Sequence, residues 1–349
     1  MLPDYSLLEG DYLRDLLAQP HALEATLRGL KITTSLRQIQ ERLALGDYTR
    51  VVLTGMGSSF HALHGLEIEL QNSGYAAFSI ETSELIYYHL ALLGPKTLII
   101  AVSQSGQSAE LVRLLEANHG RSTLISVTNT ADSPLAVRAD ATVLTQAGQE
   151  FSVSCKTYVA ALMALAWLGG ILCAKDFVQN RADLDRAHPL TEEYLTGWRE
   201  HVEALVEALR GVRSCFLAGR GTSLSAVGTG ALITKEAAHF PTEGLSSAAF
   251  RHGPLEIVND DIYVLVFEGD EKTRALNTSL LDSVLAQGGR SGLVGEHSKN
   301  PMLRLPASPA PVQPILEILP VQMMTLALAV LAGRRPGVFE RATKITNIE

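Results

Sequence analysis

Hydroxyl and amide side chains crowd the stretch Ser103-Gln104-Ser105-Gly106-Gln107-Ser108, directly after the apolar run Thr97–Val102. A helical pattern, Leu111, Leu114 and Leu115, follows at once. A strand that feeds a helix through such a loop gathers side-chain donors and unpaired backbone N–H groups around one point, at the positive end of the helix dipole. The chemistry this suits is anion binding, and phosphate is the anion expected. Serine is also an ordinary helix N-cap, but the density of polar residues favours a ligand. No lysine follows a glycine-rich stretch, so this is not a Walker loop.

Other stretches could act with it. Gly55-Met56-Gly57-Ser58-Ser59-Phe60 approaches a dinucleotide fingerprint, but Phe60 stands where the third glycine belongs. Ser58 and Ser59 are better read as hydroxyls offered to a polyol or phosphate at the carboxyl end of a strand. Gly148 to Thr157 sets small hydroxyls beside Lys156 and reads as a sugar-facing loop. Lys235-Glu236 falls in a helical stretch, where a lone glutamate is ordinarily a solvated face. Downstream, Gly253-Pro254 makes a rigid turn that can hold His252 outside regular structure, a suitable place for an acid or base. His61 and His64 are one helical turn apart with no third ligand, so no metal site is expected. Composition alone would call the tail, Ala342-Thr343-Lys344 to Glu349, frayed.

The elements that must position these residues alternate strand and helix. Residues 1–45 read as a helical, peripheral segment, with Leu16, Leu17, Leu23, Leu27 and Leu30 at helical spacing and Pro20 breaking the pattern. Strands follow at Arg50–Thr54, Ala77–Ile80, Thr97–Val102, Ser122–Thr128 and Ala141–Leu144, an order that predicts a parallel sheet covered on both faces. The pattern then restarts. Cys215-Phe-Leu-Ala-Gly219-Arg-Gly221-Thr222-Ser223 repeats Val51 to Ser59 at an offset of 164 (215 − 51), and Ile262–Phe267 repeats Thr97–Val102 at 165 (262 − 97). Two anchors at nearly one offset indicate an internal duplication. The expected organisation is a first α/β domain over 46–175, a polar helical linker over 176–197, a second domain over 198–335 and a tail over 336–349. In the second copy Glu268-Gly269-Asp270-Glu271 replaces Ser103 to Gly106. Acidic groups there would repel an anion, which assigns the phosphate to the first domain alone.

At 349 residues the chain is long enough for two domains. A net charge of −8 and a pI near 5.7 argue against a nucleic-acid surface. Cys155, Cys173 and Cys215 lack C-x-x-C spacing and read as reduced, cytosolic thiols. The start shows no basic segment before an apolar core, so no signal peptide is expected. The apolar runs Tyr158–Ala174 and Ile315–Ala332 read as helices buried in protein, not as membrane spans, the second being interrupted by Glu317, Pro320 and Gln322.

Taken together, Leu17-Ala-Gln-Pro20, Gly57-Ser58-Ser59, Ser103-Gln-Ser-Gly106, Glu150 to Lys156, Lys235-Glu236, His252-Gly-Pro254 and the tail lysine resemble the sugar isomerase (SIS) domain in tandem. The arrangement is similar to the isomerase half of glucosamine-6-phosphate synthase, and to stand-alone aminosugar-phosphate deaminases and fructosamine-phosphate deglycases. The resemblance implies two doubly wound, flavodoxin-like α/β domains. It implies phosphosugar binding by Gly57, Ser58, Ser59, Ser103, Gln104, Ser105 and Ser108, with Val153 and Cys155 in the same binding set. By the same resemblance Glu236 moves a proton between carbons 1 and 2, His252 assists ring opening and enters from a neighbouring subunit of a homodimer, and Lys344 engages the open-chain carbonyl. Lys235 stands nearby, and the tail becomes a lid. Two departures are plain: Ile233 stands where the synthase has a further lysine, and the loop after Val153 is one residue shorter, which shifts the match at Ser154 to Lys156.

With no glutaminase domain or N-terminal cysteine, amide transfer from glutamine is not expected. Neither a metal nor a redox cofactor is required. The expected activity is an aldose–ketose isomerase-type reaction on an amino- or keto-hexose phosphate, with deamination or deglycation favoured. The other reading is a non-catalytic phosphosugar sensor, but such a regulator would normally carry a DNA-binding module, and the first 45 residues hold no basic helix-turn-helix.

Overall fold

The computed structural model describes residues 3–341, so Lys344 and the rest of the expected lid beyond Arg341 lie outside the described residues. The chain forms two compact units. Among the described residues, one consists of His21–Glu150 and Lys156–Asp185, the other of residues 3–20, Phe151–Cys155 and Arg186–Arg341.

The first unit is built on five strands: β1 (Arg50–Gly55), β2 (Ala77–Glu81), β3 (Thr97–Val102), β4 (Thr123–Thr128) and β5 (Ala141–Leu144). Their order is β2-β1-β3-β4-β5, and every pairing is parallel. All six residues of β3 are buried, as they must be in a central strand covered on both faces. One face packs Val52, Ile99 and Ala101 against Leu85, Leu111, Leu114 and Leu135 of the covering helices. Each buried Val, Leu or Ile among them contributes roughly 1.5–3 kcal/mol by leaving water. Helix Lys156–Leu172 is buried nearly along its length, including Trp167 at 0% exposure.

The second unit carries β6 (Ser214–Gly219), β7 (Thr242–Ser246), β8 (Ile262–Phe267) and β9 (Arg290–Val294) in the order β7-β6-β8-β9, again all parallel. This is the order of the first four strands of the other sheet. β7 begins 165 residues after β2 (242 − 77) and β8 165 after β3 (262 − 97), so the periodicity seen in sequence is a repeat of topology. The α/β, doubly wound reading therefore holds.

One detail differs from the sequence reading. The opening helices are not peripheral: Tyr12, Leu16 and Leu23 are at most 1% exposed, the Tyr12 hydroxyl lies 3.1 Å from Thr325 Oγ1, and the Gln19 and Gln322 amides exchange hydrogen bonds at 2.9 Å. As its breaking of the pattern implies, Pro20 falls where helix Asp11–Leu17 gives way to helix Gln19–Gly29, in whose first turn its missing N–H costs nothing. Helix Gln313–Leu331 runs unbroken through Pro320. It is long and apolar enough to cross a membrane, but 94% of its apolar window is buried inside the protein.

Candidate functional site

In an open parallel sheet ordered 2-1-3-4-5, the chain leaves β1 towards one edge and returns to β3 on the other side. Ligands bind at the carboxyl ends of those two strands. The glycine-serine turn follows β1, and the Ser103 loop follows β3. The strands are adjacent, with Thr54 paired to Ala101, and a Cβ on Gly55 would stand 3.1 Å from the Val102 carbonyl oxygen. The structure thus brings Gly57, Ser58, Ser59, Ser103, Gln104, Ser105 and Ser108 to one end of one sheet.

The loop after β3 is held tightly. Gly106 has φ +64°, and a Cβ there would lie 2.2 Å from Ser133 Oγ, so both backbone and space demand glycine. Ser103 Oγ accepts the Gly106 N–H at 3.1 Å and Ser105 Oγ the Gln107 N–H at 3.4 Å. Ser108 behaves differently. It occupies the N-cap of helix Ala109–Asn118 with extended backbone, yet makes no capping bond. Serines at the same position elsewhere do cap: Ser133 accepts from the Ala136 N–H at 3.3 Å, and Ser246 from the Ala249 N–H at 3.1 Å. The Ser108 hydroxyl and the first-turn N–H groups are therefore available to a ligand. Ser58 and Ser59 are half-buried and spend no hydroxyl hydrogen bond among the described residues. Glu110, in the same first turn, is 7% exposed with Oε2 unpaired among the described residues, so an anion here would be held by hydroxyl and N–H dipoles alone.

Phe60, His61 and His64 cluster beside the β1 turn, the two imidazoles stacked at 6.3 Å. Burial lowers the His64 pKa, so His64 is neutral at ordinary pH.

The remaining expected residues lie in the second unit or outside the described chain. Lys235 and Glu236 are in the last turns of helix Leu224–Ala238, Lys235 exposed and Glu236 half-buried. Ile233 is 0% exposed, so a lysine at that position would have to be buried as well. His252 is exposed at the end of helix Ser247–Arg251. Gly253 follows with φ +155°, a conformation that a side chain would strain and that turns the chain sharply after the histidine. Val153 and Cys155 are fully buried. The Gly148–Thr157 loop is more structural than its hydroxyls suggest: in the first unit Glu150 accepts the Thr157 N–H at 3.0 Å and the Thr157 hydroxyl at 2.6 Å, anchoring helix Lys156–Leu172.

The second sheet's equivalent crevice is filled by the chain itself. Glu268, 3% exposed, meets Arg274 Nε at 2.8 Å and His297 Nδ1 at 2.6 Å and accepts the His297 N–H at 3.0 Å. Asp270 caps helix Arg274–Ala286 through Thr273. Ser223, the counterpart of Ser59 (223 − 59 = 164), donates to Glu317 at 2.8 Å, and Gln313 donates to the same oxygen at 2.9 Å. Burial, with Glu268 nearby, raises the Glu317 pKa to about 7. Glu268 and Asp270 are thus each held by partners within the chain and are not a bare repelling wall. Sequence reasoning missed Glu317, which a buried-helix pattern hides. It also missed Thr128-Asn129-Thr130, whose only signal is their place at the carboxyl end of β4.

Residues 45–169 match the SIS domain. The glutamine–fructose-6-phosphate aminotransferase (isomerizing) of Pyrococcus horikoshii is 29% identical over 97% of this chain and 57% of its own length. The chain thus spans somewhat more than half the length of the curated relatives it matches. Among solved structures, the C-terminal domain of glucosamine-fructose-6-phosphate aminotransferase from Francisella tularensis superposes with a TM-score of 0.83 at 22% identity, covering 93% of this chain and 96% of that one. The tagatose-6-phosphate ketose/aldose isomerase of Escherichia coli gives 0.79 at 19%, covering 98% and 99%. Both likenesses establish the fold.

Proposed function

We propose that this chain, with an SIS domain over residues 45–169, is an enzyme that interconverts aldose and ketose forms of a phosphorylated hexose. Its favoured substrates are an amino-hexose phosphate or a fructosamine phosphate. The observation that carries the reading is the anion cradle at the β1–β3 switch point, where Ser108 sits as an N-cap and does not cap. A phosphate there gains two or three hydrogen bonds and fixes the sugar for the chemical step.

The chemistry requires ring opening, proton transfer between adjacent carbons and polarisation of the carbonyl as an enediol or enamine develops. We assign ring opening to His252, the proton shuttle to Glu236 and carbonyl engagement to Lys344, with Lys235 beside Glu236. Proton transfer at a 2-amino carbon gives an imine, and water then releases ammonia. In a fructosamine phosphate the amine sits on carbon 1: proton transfer from carbon 1 to carbon 2 gives an imine at carbon 1, and water then releases the amino acid and leaves the aldose phosphate. His252 is exposed on a sharp turn, which supports its reaching a neighbouring copy of the chain in a homodimer.

The test is incubation with glucosamine 6-phosphate, with fructose 6-phosphate plus ammonia, and with fructosamine phosphates, following ammonia, amine and hexose phosphate. Turnover of one of them is expected. Binding of all without turnover of any would establish a phosphosugar sensor instead.

A further inference from the structure

Three consecutive residues at the carboxyl end of β4 hold the Ser103 loop from behind. The Gln104 carbonyl accepts the Asn129 N–H at 3.1 Å, the Thr128 hydroxyl at 3.3 Å and the Thr130 hydroxyl at 3.4 Å. The Asn129 side chain is committed in the other direction. Its Oδ1 accepts the Thr145 hydroxyl at 3.0 Å and the Ala147 N–H at 2.7 Å, and its Nδ2 donates to the Gly148 carbonyl at 2.8 Å. One residue therefore ties the cradle to the loop that leaves β5.

That exit loop does not hold itself in place. Gln146 and Gly148 both have positive φ, +49° and +73°. For glutamine this is a conformation that tertiary contacts must impose. Gln146, Gly148 and Gln149 are exposed, and their N–H groups make no hydrogen bond among the described residues. Backbone donors in a loop of this kind suit oxygen acceptors on a ligand.

We infer that Asn129 is a positioning residue: it sets the exit loop 145–149 against the phosphate cradle so that the loop's backbone donors form a second wall of the sugar-phosphate site. This inference rests on the phosphosugar reading above. Asn129 reaches no substrate itself. It acts through Gln104 on one side and through Thr145, Ala147 and Gly148 on the other.

Calorimetric titration with inorganic phosphate and with fructose 6-phosphate tests it. In Asn129→Ala the dissociation constant for fructose 6-phosphate should rise about tenfold or more and that for phosphate less, with stoichiometry unchanged; tenfold corresponds to about 1.4 kcal/mol, near the worth of one or two hydrogen bonds. A merely structural role would give the opposite split, a lower stoichiometry at unchanged affinity, and would overturn the inference. Thr145→Val removes one contact and covers the case in which Asn129→Ala does not fold. It should weaken fructose 6-phosphate about threefold, and unchanged affinity there counts against the inference equally. If the unmodified protein binds neither probe, the phosphosugar reading itself fails.

Discussion

Ser108 and Glu317 show how much a side chain's meaning depends on partners that its own neighbourhood in sequence does not reveal. An N-cap serine replaced by alanine usually costs about 0.5–2 kcal/mol. Ser108 makes no capping bond, so Ser108→Ala should lower stability by less than about 0.5 kcal/mol while weakening phosphate binding clearly. Denaturant unfolding and phosphate titration of the one variant check both, and a large stability loss would return Ser108 to an ordinary cap. Glu317 is a matter of pH. Its folded pKa of about 7 lies above the ordinary 4.5, so the neutral carboxyl is the form the fold prefers. Its contribution is complete below pH 4.5 and is lost as pH rises through 7. Glu317→Gln, which mimics the neutral acid between Ser223 and Gln313, should match the parent's stability below pH 4.5 and exceed it above pH 7, by at most about 3 kcal/mol. Thermal melts across that range would show the curves diverge; parallel curves would mean that Glu317 is ionised in the fold. The serines of the cradle were legible from residue type and spacing. Asn129 and Glu317 were not, because decisive partners, Thr145 and Gly148 for the one and Ser223 for the other, lie on other segments of the chain.

At the scale of elements, the cradle is a loop whose shape is fixed by β4. Gly106→Ala brings a Cβ into Ser133 and a side chain to φ +64°. It should cost about 1 kcal/mol or more from the backbone alone and remove phosphate binding. A second change, Ser133→Ala, removes the hydroxyl but leaves the Cβ of residue 133 only 2.6 Å away and the backbone strained, so the double variant should not recover affinity. The two copies of the strand pattern also predict a number. Since Glu268 fills the second crevice with its own ion pairs, phosphate should bind at one site per chain, and equilibrium dialysis finding two would contradict the self-filled crevice. Seven of the nine strands among the described residues follow from the alternation of apolar runs with turns, since a central parallel strand is apolar throughout; the edge strands Thr242–Ser246 and Arg290–Val294, half-exposed and mixed in polarity, carry no such run and were not legible. The helical start was legible as helix but misread as peripheral. Its buried residues Tyr12 and Gln19 bond to Thr325 and Gln322, each more than three hundred positions away.

For the whole molecule, the proposal that His252 serves a neighbouring copy makes a mixing prediction. Glu236→Gln and His252→Asn chains, each inactive alone, should regain activity when refolded together, because some mixed dimers hold one intact set of residues. Sedimentation should show a dimer. An active monomer, or no recovery on mixing, would place His252 in its own chain's chemistry. The repeat offset near 165 made the two-sheet architecture readable before any coordinates, whereas segment exchange was not. Phe151–Cys155 belongs with the second sheet's unit while the residues on either side belong with the first, and nothing in composition marks that crossing.

The paired carboxylate network of the second crevice has a thermodynamic corollary. The first sheet's crevice is completed from outside, so its unit should gain protection from hydrogen exchange as phosphate is added, by an amount that follows RT ln(1 + [L]/Kd). The second crevice is completed from within, and its unit should answer to proton concentration through Glu317 and stay indifferent to inorganic phosphate. One chain built twice on the same pattern would then carry two halves whose cohesion is governed by different solutes.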